Sequence, residues 1–321
     1  MAVKSKQPNR NGKSHQLFLG VDGGGTKTHI ALMNSGGKVK SEGFAGPSNP
    51  LRVGVETAVD NIVKAITEAT DTGGLSRGDI VAATIGLAGV RRADLRLRVR
   101  ESFFKRIGVK DALVITDAEI ALYATTLGKS GLVVIAGTGS VFFGKNDEGE
   151  IAISGGWGPL AGDEGGGRGI AGEALHAIAK ASDGRGPMTQ LSERAAVYFR
   201  ASNVDNLIGA IYAPNMDNSR IAGFAKFVVE TAAEGDNIAI EIINAAGREL
   251  GTAAVAVIEK LELEKAQFPI GCVGSVFNAG ELLTGPMNDL ILATAPNASL
   301  AKPKIPPAHA AALMAMRNGV K

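Results

Sequence analysis

The spacing of apolar residues predicts strands and helices that alternate along most of the chain. Short apolar runs bounded by glycine, asparagine or aspartate are typical of buried strands, and apolar residues three or four positions apart are typical of helices. The predicted strands cover residues 17–22, 27–33, 38–45, 80–87, 112–116, 131–136, 140–144, 150–154 and 269–273. The predicted helices cover residues 51–69, 93–107, 117–127, 167–181, 189–201, 221–235, 238–261, 279–293 and 308–316. This mixture predicts an α/β fold.

One arrangement of strands occurs twice. The order strand, glycine turn, strand, turn, strand begins at Leu17 and begins again at Gly131. A duplicated meander followed by helices predicts two related α/β lobes. We predict a tail at residues 1–15, a first lobe at 16–127 and a second lobe at 128–321. The last helix, at about 307–318, is expected to pack back on the first lobe.

Composition narrows the classes of function. The chain has 321 residues, 45% of them apolar and 21% charged, which is ordinary for a globular protein. The net charge of +2 arises in the polar tail at residues 1–15, which we expect to be disordered. Acidic residues slightly outnumber basic ones elsewhere, so we expect no nucleic-acid partner. The tail lacks the apolar stretch of a signal peptide, and no apolar run is long enough to span a membrane, so we expect no membrane partner.

Cysteine and histidine give no sign of a metal site or a disulfide. Cys272 is the one cysteine, so neither an internal disulfide nor an iron–sulfur site within one chain is expected. A reducing cytoplasm fits this composition. The histidines, which are His15, His29, His176 and His309, show no metal-ligand spacing.

Two glycine-rich turns are candidates for phosphate binding. The first lies in GVDGGGTKT, Gly20–Thr28, and the second is GTGS, Gly137–Ser140. Because glycine has no Cβ, its backbone N–H can approach a phosphate closely. The hydroxyls of Thr26, Thr138 and Ser140 could add donors. Ordinary type I′ or II′ hairpin turns are the alternative, but the presence of such a turn in both predicted lobes favours nucleotide binding.

Three aspartates stand at the ends of predicted elements or in a glycine-rich loop. They are Asp22, Asp117 and Asp163. Phosphoryl transfer needs donors around the phosphates, Mg²⁺ to spread charge and a carboxylate to take the hydroxyl proton. Asp22 is suited to a hydrated metal and Asp117 to the base. Asp117 could equally be the N-cap of the following helix, and the residues alone leave these two roles open.

Six motifs, taken in order, resemble the BadF/BadG/BcrA/BcrD ATPase family and, within it, the N-acetylglucosamine kinases. They run from about Leu17 to Leu292. The motifs are GVDGGGTKT, GLAGVRR, TDAE, IAGTGS, GGWGPLAGDEGGGRGIAGEAL and CVGSVFNAGELL. The resemblance implies two RNase H-like lobes of the actin-like ATPase fold, with the active site in the cleft between them. It also implies ATP and Mg²⁺ as cofactors and a small sugar as the substrate.

The resemblance implies a role for individual residues. Asp117 would be the catalytic base and would also contact the sugar, and Asp22 would hold the metal through water. The residues expected to bind ATP are Gly23, Gly24, Gly25, Thr26, Lys27, Gly137, Thr138, Gly139, Gly223, Gly274 and Ser275. The other residues expected to bind the sugar are Asn49, Ser140, Gly156, Trp157 and Asp163. Trp157 has an alternative interpretation as a lone core tryptophan.

The expected reaction is phosphorylation of N-acetylglucosamine at its 6-hydroxyl. Apolar residues in the segment Gly155–Gly165 favour an N-acetyl group over a free amine. A glucosamine kinase, or another hexose or amino-sugar kinase of the family, is the main alternative. A non-enzymatic sugar sensor normally carries a helix-turn-helix domain, for which the sequence before Leu17 is too short. Dehydratase-activating ATPases need cluster-binding cysteines, which Cys272 alone cannot supply. The oligomeric state stays open, with a homodimer as one expectation.

Overall fold

The computed structural model describes residues 16–319, so the predicted tail at 1–15 lies outside the described residues. Contacts within the chain define two units. Of the described residues, 16–120 and 306–319 belong to the first unit and 121–305 to the second. Each unit contains a five-stranded mixed sheet with helices packed against it, so the α/β class predicted from the sequence is confirmed.

Strands and helices alternate as the apolar pattern predicts. The strands are β1 (Leu17–Gly23), β2 (Thr28–Asn34), β3 (Val39–Ala45), β4 (Ile80–Leu87), β5 (Asp111–Thr116), β6 (Gly131–Ala136), β7 (Ser140–Lys145), β8 (Ile151–Gly155), β9 (Pro269–Val273) and β10 (Ser299–Ala301). The α-helices are α1 (Pro50–Val53), α2 (Val55–Gly73), α3 (Ala93–Ile107), α4 (Asp117–Thr126), α5 (Gly167–Ser182), α6 (Leu191–Phe199), α7 (Leu207–Ile211), α8 (Asn218–Gly223), α9 (Ala225–Ala233), α10 (Asn237–Lys260), α11 (Glu281–Thr294) and α12 (Pro307–Gly319). Short 3₁₀ helices occupy Arg77–Asp79 and Ser275–Ala279.

The two sheets have the same topology. The strand order is β3-β2-β1-β4-β5 in the first and β8-β7-β6-β9-β10 in the second. In each sheet the first three strands along the chain pair antiparallel and the last two join in parallel. The duplication predicted from the sequence is therefore present in the fold.

Parallel pairing brings the carboxyl ends of β1, β4 and β5 to one edge of the first sheet. In this register Asp22 lies opposite Gly86 and Leu87 lies opposite Thr116. One face of the sheet packs against α2 and α3 through an apolar core. That packing fixes the edge at which Asp22 and the start of α4 lie, and this edge is where ligands commonly bind in α/β sheets.

Helix α12 covers the other face of the first sheet. Its alanines Ala308 and Ala312 pack against Ala31 and Met33. The approach is so close that a Cβ built on Gly20 would lie 2.1 Å from the Ala308 carbonyl oxygen. The alanine-rich sequence of α12 and the glycine in β1 together allow this contact.

Some local predictions need correction. The predicted helix at 51–69 is divided into α1 and α2, because Gly54 has a left-handed φ of 79°. The predicted helix at 221–235 is divided into α8 and α9 at Phe224. The short elements α7 and β10 were not predicted, since five and three residues are too few to show a period. Within residues 16–319, no helix is both long enough and apolar enough to cross a membrane.

Candidate functional site

The first glycine turn is bonded to the loop that carries Asn49. The Gly24 N–H donates to the Lys27 carbonyl at 3.0 Å and closes the turn between β1 and β2. The Gly24 carbonyl accepts from the N–H groups of Ser48 and Asn49, at 3.0 and 3.1 Å. The buried Thr28 hydroxyl donates to the Ser48 hydroxyl at 2.8 Å. Backbone bonds therefore hold the predicted phosphate turn and the predicted sugar loop together.

Asn49 is fixed by its side chain as well. Its Oδ1 accepts the Leu51 N–H at 3.0 Å and caps α1. A Cβ built on Gly89 would lie 2.4 Å from the same oxygen, so the loop after β4 passes directly beside Asn49. The Nδ2 amide of Asn49 is then the donor that it can offer to a ligand.

Neither glycine turn is a type I′ or II′ hairpin turn. Those turns join strands through two residues and require left-handed φ values. Four residues separate β1 from β2 and three separate β6 from β7, and none of residues 23–27 or 137–140 has a left-handed φ. The hairpin-turn alternative is therefore wrong for both turns.

Gly137 is a glycine that packing does not require. A Cβ built on it meets no heavy atom of the described chain within 4 Å, apart from its chain neighbours. Gly139 is different, because a Cβ there would lie 2.3 Å from a carboxyl oxygen of Asp163. The space in front of Gly137 is open to a ligand, and a side chain at this position would extend into it.

The start of α4 is capped by Thr116, which answers the question that the sequence leaves open for Asp117. The Thr116 hydroxyl accepts the Glu119 N–H at 3.2 Å, and Glu119 Oε2 accepts the Thr116 N–H at 2.7 Å. These reciprocal bonds form a capping box. The N-cap interpretation of Asp117 is therefore wrong, because Asp117 is the first residue inside the helix.

The carboxyls of Asp22 and Asp117 influence each other electrostatically. The pKa of Asp22 is raised to about 6, chiefly by burial and then by the charge of Asp117, and Lys27 opposes both effects. Burial also raises the pKa of Asp117, although the carboxyl accepts the Ala118 N–H at 3.0 Å. Two partly buried carboxyls that repel each other are stabilised as anions by a nearby cation. Carboxylate oxygens are ligands that Mg²⁺ accepts, so the chemistry of this pair is compatible with the metal that the sequence predicts.

The second glycine turn is bonded to the start of α5. The Gly137 carbonyl accepts the Gly167 N–H and the Thr138 carbonyl accepts the Arg168 N–H, both at 2.8 Å. Gly166 packs on the turn so closely that a Cβ on it would lie 2.6 Å from the Gly139 carbonyl carbon. Hydrogen bonds and close packing therefore hold the turn against the N-terminus of α5.

A cavity of about 540 Å³ lies beside this turn. Its lining includes Gly137, Thr138, Gly223 and Ser275, which are four of the residues predicted to bind ATP. The volume is within the range of small-molecule sites. Lys226, Glu230 and Asn278 also line it, and no motif in the sequence marks them as site residues.

Gly274 has a left-handed φ of 119°, and a Cβ on it would lie 2.1 Å from the Ala136 carbonyl oxygen. A glycine is therefore required at this point. It lets the chain after β9 pass against the end of β6. The short 3₁₀ helix then begins at Ser275, and residues of this helix line the cavity.

The segment Gly155–Gly165 begins at the last residue of β8, and many of its residues have left-handed φ values. Gly155, Gly156, Gly158, Asp163 and Gly165 all have φ values between 66° and 83°. Aspartate rarely adopts this conformation, so the position of Asp163 is set by the surrounding loop. Burial raises the pKa of Asp163, and this outweighs the opposing effect of the backbone N–H groups of Ser140 and Gly158.

Ser140 connects this segment to the second glycine turn. Its hydroxyl is buried and donates to the Glu164 carbonyl at 2.7 Å. A serine hydroxyl has one proton, and here it is used within the protein. The sugar-binding role of Ser140 stays a prediction.

Trp157 is 70% exposed, so its interpretation as a core tryptophan is wrong. Leu160, in the same segment, is fully exposed. Gly156, which precedes the tryptophan, is exposed as well. The segment thus presents an aromatic ring and an aliphatic side chain to solvent.

The sequence pattern of the BadF/BadG/BcrA/BcrD ATPase family matches residues 19–315, and the chain belongs to this family. The resemblance that the motifs indicated is confirmed.

Characterised relatives share most of the chain. An N-acetylmuramic acid/N-acetylglucosamine kinase of Clostridium acetobutylicum is 33% identical over 82% of this chain and 86% of its own length. An N-acetyl-D-glucosamine kinase of Dictyostelium discoideum is 30% identical over 95% of this chain and 99% of its own length. The fold is similar to a Chromobacterium violaceum structure provisionally described as an N-acetylglucosamine kinase, with a TM-score of 0.77 and 24% identity. The match covers 94% of this chain and 99% of that chain.

The geometry of the second turn gives a direct test of nucleotide binding. We expect Gly137→Val to lower ATP affinity by about tenfold or more, because its side chain enters space that is open to the phosphates; a tenfold loss is about 1.4 kcal/mol. Stability should change little, since the protein itself leaves that space open. Calorimetric titration with ATP measures the affinity, and Gly209→Val, an exposed glycine in α7, is the matched control. Equal ATP affinity in the two variants would remove this turn from the site.

Proposed function

We propose that this protein is an ATP-dependent sugar kinase that phosphorylates N-acetylglucosamine at its 6-hydroxyl. The observation that carries the proposal is the Asp117 carboxyl. It is not needed as a helix cap, its pKa is raised, and it lies beside a second carboxyl at the carboxyl edge of a parallel sheet. Membership of an ATPase family whose relatives are named as amino-sugar kinases supports the same reaction.

In the proposed reaction Asp117 accepts the proton of the sugar hydroxyl as the oxygen attacks the γ-phosphorus of ATP. The proton moves to the Asp117 carboxylate and ADP is the leaving group. The raised pKa of Asp117 makes it a stronger base than an exposed aspartate. Asp22 is proposed to hold hydrated Mg²⁺, which when bound neutralises charge on the phosphates.

The two glycine turns are proposed to bind the phosphates of ATP. The Gly24 and Gly137 N–H groups already donate within their own turns, so the other backbone N–H groups of the two turns would serve as the phosphate donors. Neither turn needs its glycines for a left-handed backbone. The cavity beside Gly137 would bind the adenosine. Gly223 and Ser275 line this cavity, and Gly274 is the residue directly before Ser275.

The segment Gly155–Gly165 supports an N-acetyl sugar over a sugar with a free amine. The exposed Trp157 and Leu160 provide apolar surface for a methyl group, and burying one or two carbons contributes about 1–2 kcal/mol. A charged amine would need an unpaired carboxylate. Asp163 and Glu164 are the carboxylates of the segment, and backbone N–H groups already face the Asp163 carboxyl.

The expected location and binding partners of the enzyme follow from the same reaction. We propose a cytoplasmic enzyme whose partners are ATP and a small sugar, with neither nucleic acid nor membrane involved. A homodimer stays a prediction, and light scattering on the purified chain tests it.

The experiment is a coupled ADP-release assay with N-acetylglucosamine, N-acetylmuramic acid, glucosamine and glucose. We expect kcat/KM for N-acetylglucosamine to exceed that for glucosamine by about 10-fold or more, the effect of a small apolar group in a pocket. If glucosamine or glucose is the better substrate, the kinase assignment survives and the sugar assignment does not.

Trp157→Ala is expected to remove most of that preference. The indole ring is the largest apolar surface of the segment, and its loss should raise KM for N-acetylglucosamine more than KM for glucosamine. Tyr212→Ala is the matched control, because Tyr212 is an equally exposed aromatic residue outside the segment. An unchanged ratio of kcat/KM for the two sugars in Trp157→Ala would exclude Trp157 from the sugar site.

A further inference from the structure

Two histidines and a glutamate meet on the first sheet, one of them from the far end of the sequence. His29 lies in β2, Glu42 in β3 and His309 in the first turn of α12. Nε2 of His29 lies 3.2 Å from Glu42 Oε1, and Nε2 of His309 is hydrogen-bonded to the same oxygen. One potential ligand atom from each residue lies within 4.8 Å of the other two.

The sheet register explains why these side chains share one face. Glu42 pairs with Ala31, which is two residues after His29 on the same strand. Residues two apart on a strand point to the same face, and α12 packs on this face through Ala308. The fold therefore brings His309 to a pair of residues that the sheet has already aligned.

Packing restrains the His29 ring and the helix that carries His309. The His29 ring stacks on the Phe44 ring with centroids 4.5 Å apart and an angle of 9° between the planes. Neighbouring residues Ala308 and Ala312 fix the first turns of α12 against β2. All three side chains are only partly exposed. Such restraint lowers the entropy cost of gathering ligands around a cation.

The donor set selects a class of metal. Two imidazole nitrogens with one carboxylate oxygen suit Zn²⁺ and similar divalent transition metals, whereas Mg²⁺ and Ca²⁺ prefer oxygen ligands. Bonds of about 2.0–2.2 Å require ligand atoms roughly 3.4 Å apart. Three protein ligands would leave a fourth position for water.

We propose that His29, Glu42 and His309 form a zinc-binding site that links the last helix to the first sheet. It differs from the proposed magnesium site, which relies on carboxylate oxygens. Asp22 lies opposite His29 across the β1–β2 pair, so the two sites are neighbours but use different side chains. Zinc bound here joins α12 to the consecutive strands β2 and β3, and it stabilises the folded chain by binding the folded state alone.

Calorimetric titration of Zn²⁺ into the metal-free full chain, with millimolar Mg²⁺ present, tests the proposal. We expect one zinc per chain in the wild type and in His176→Ala, the control at an exposed histidine of the second unit. His309→Ala and Glu42→Gln should each weaken binding by more than about 10-fold, since even residues that only support metal ligands are worth 10–100-fold. Asp22→Asn should retain the zinc.

A second measurement separates loss of ligands from loss of folding. Thermal unfolding of the wild type should shift upward with Zn²⁺, whereas His309→Ala should unfold at a temperature that zinc does not change. Cobalt bound in place of zinc should give the visible absorption of a four-coordinate ion in the wild type and none in His309→Ala. The proposal is overturned if the wild type binds no zinc under these conditions, or if His309→Ala binds it equally well. Neither result depends on kinase activity.

Discussion

Asp117→Asn is expected to lower kcat by about 10²–10⁴-fold, the usual contribution of a general base. Asparagine keeps the size of the side chain and can still accept the Ala118 N–H, but it cannot take the hydroxyl proton. Sugar and ATP binding should therefore be largely kept. Steady-state kinetics with calorimetric binding of both substrates separates the two effects.

Glu119→Gln is the matched control for this substitution. Glutamine also completes a capping box with Thr116, so α4 should keep its start and kcat should stay near the wild-type value. If Asp117→Asn turns over as fast as Glu119→Gln, Asp117 is not the base.

The stability of Asp117→Asn gives an independent check. A carboxyl whose pKa is raised by folding contributes most to stability below its ordinary pKa, and that contribution is lost as the pH rises through the raised pKa. Where the pH is high enough to ionise Asp117, its buried charge therefore lowers the stability of the folded chain. The neutral asparagine should unfold at a temperature equal to or above that of the wild type.

Gly20→Ala is expected to lower the free energy of unfolding by at least about 3 kcal/mol, at the upper end of the usual cost of overpacking. The added Cβ would lie 2.1 Å from the Ala308 carbonyl oxygen and 2.2 Å from the Ala312 nitrogen. Both are backbone atoms of α12, so no side-chain rotation can relieve the clash. The helix must move away from β1 and expose Ala31 and its neighbours.

Urea denaturation measures this loss, and Gly36→Ala is its control. Gly36 lies in the exposed turn between β2 and β3, where a Cβ makes an ordinary contact of 3.5 Å with Asn34. Its replacement should change the free energy of unfolding by no more than about 0.5 kcal/mol, as is usual for surface positions. A Gly20→Ala variant as stable as Gly36→Ala would contradict the described packing of α12.

The sequence predicted the regular elements well where local signals were strong. The limits of β4 and α3 agree with the predicted residues 80–87 and 93–107, because a clear apolar run and a clear helical period end at glycines or polar residues. The division between α1 and α2 was missed, since apolar residues continue at helical spacing through Gly54 and the sign of its φ leaves no trace in that pattern.

In the candidate site, too, some features were readable from the sequence and others were not. The capping box was readable in TDAE, because Thr116 and Glu119 have the required spacing, and it could have decided the role of Asp117. The exposure of Trp157 was not readable, since an isolated tryptophan fits a core and a binding surface equally well. The meeting of His29 with His309 depends on how α12 packs, and no local spacing encodes a contact between residues 280 positions apart.

Proton-coupled ³¹P NMR of the purified chain with ATP, Mg²⁺ and N-acetylglucosamine tests the central claim most directly. We predict that ADP and a phosphomonoester appear together, and that the ester signal is a triplet because its phosphorus couples to the two protons on carbon 6. Asp117→Asn should give this signal much more slowly. Inorganic phosphate without an ester would mean an ATPase that does not phosphorylate this sugar, and would contradict the proposed function.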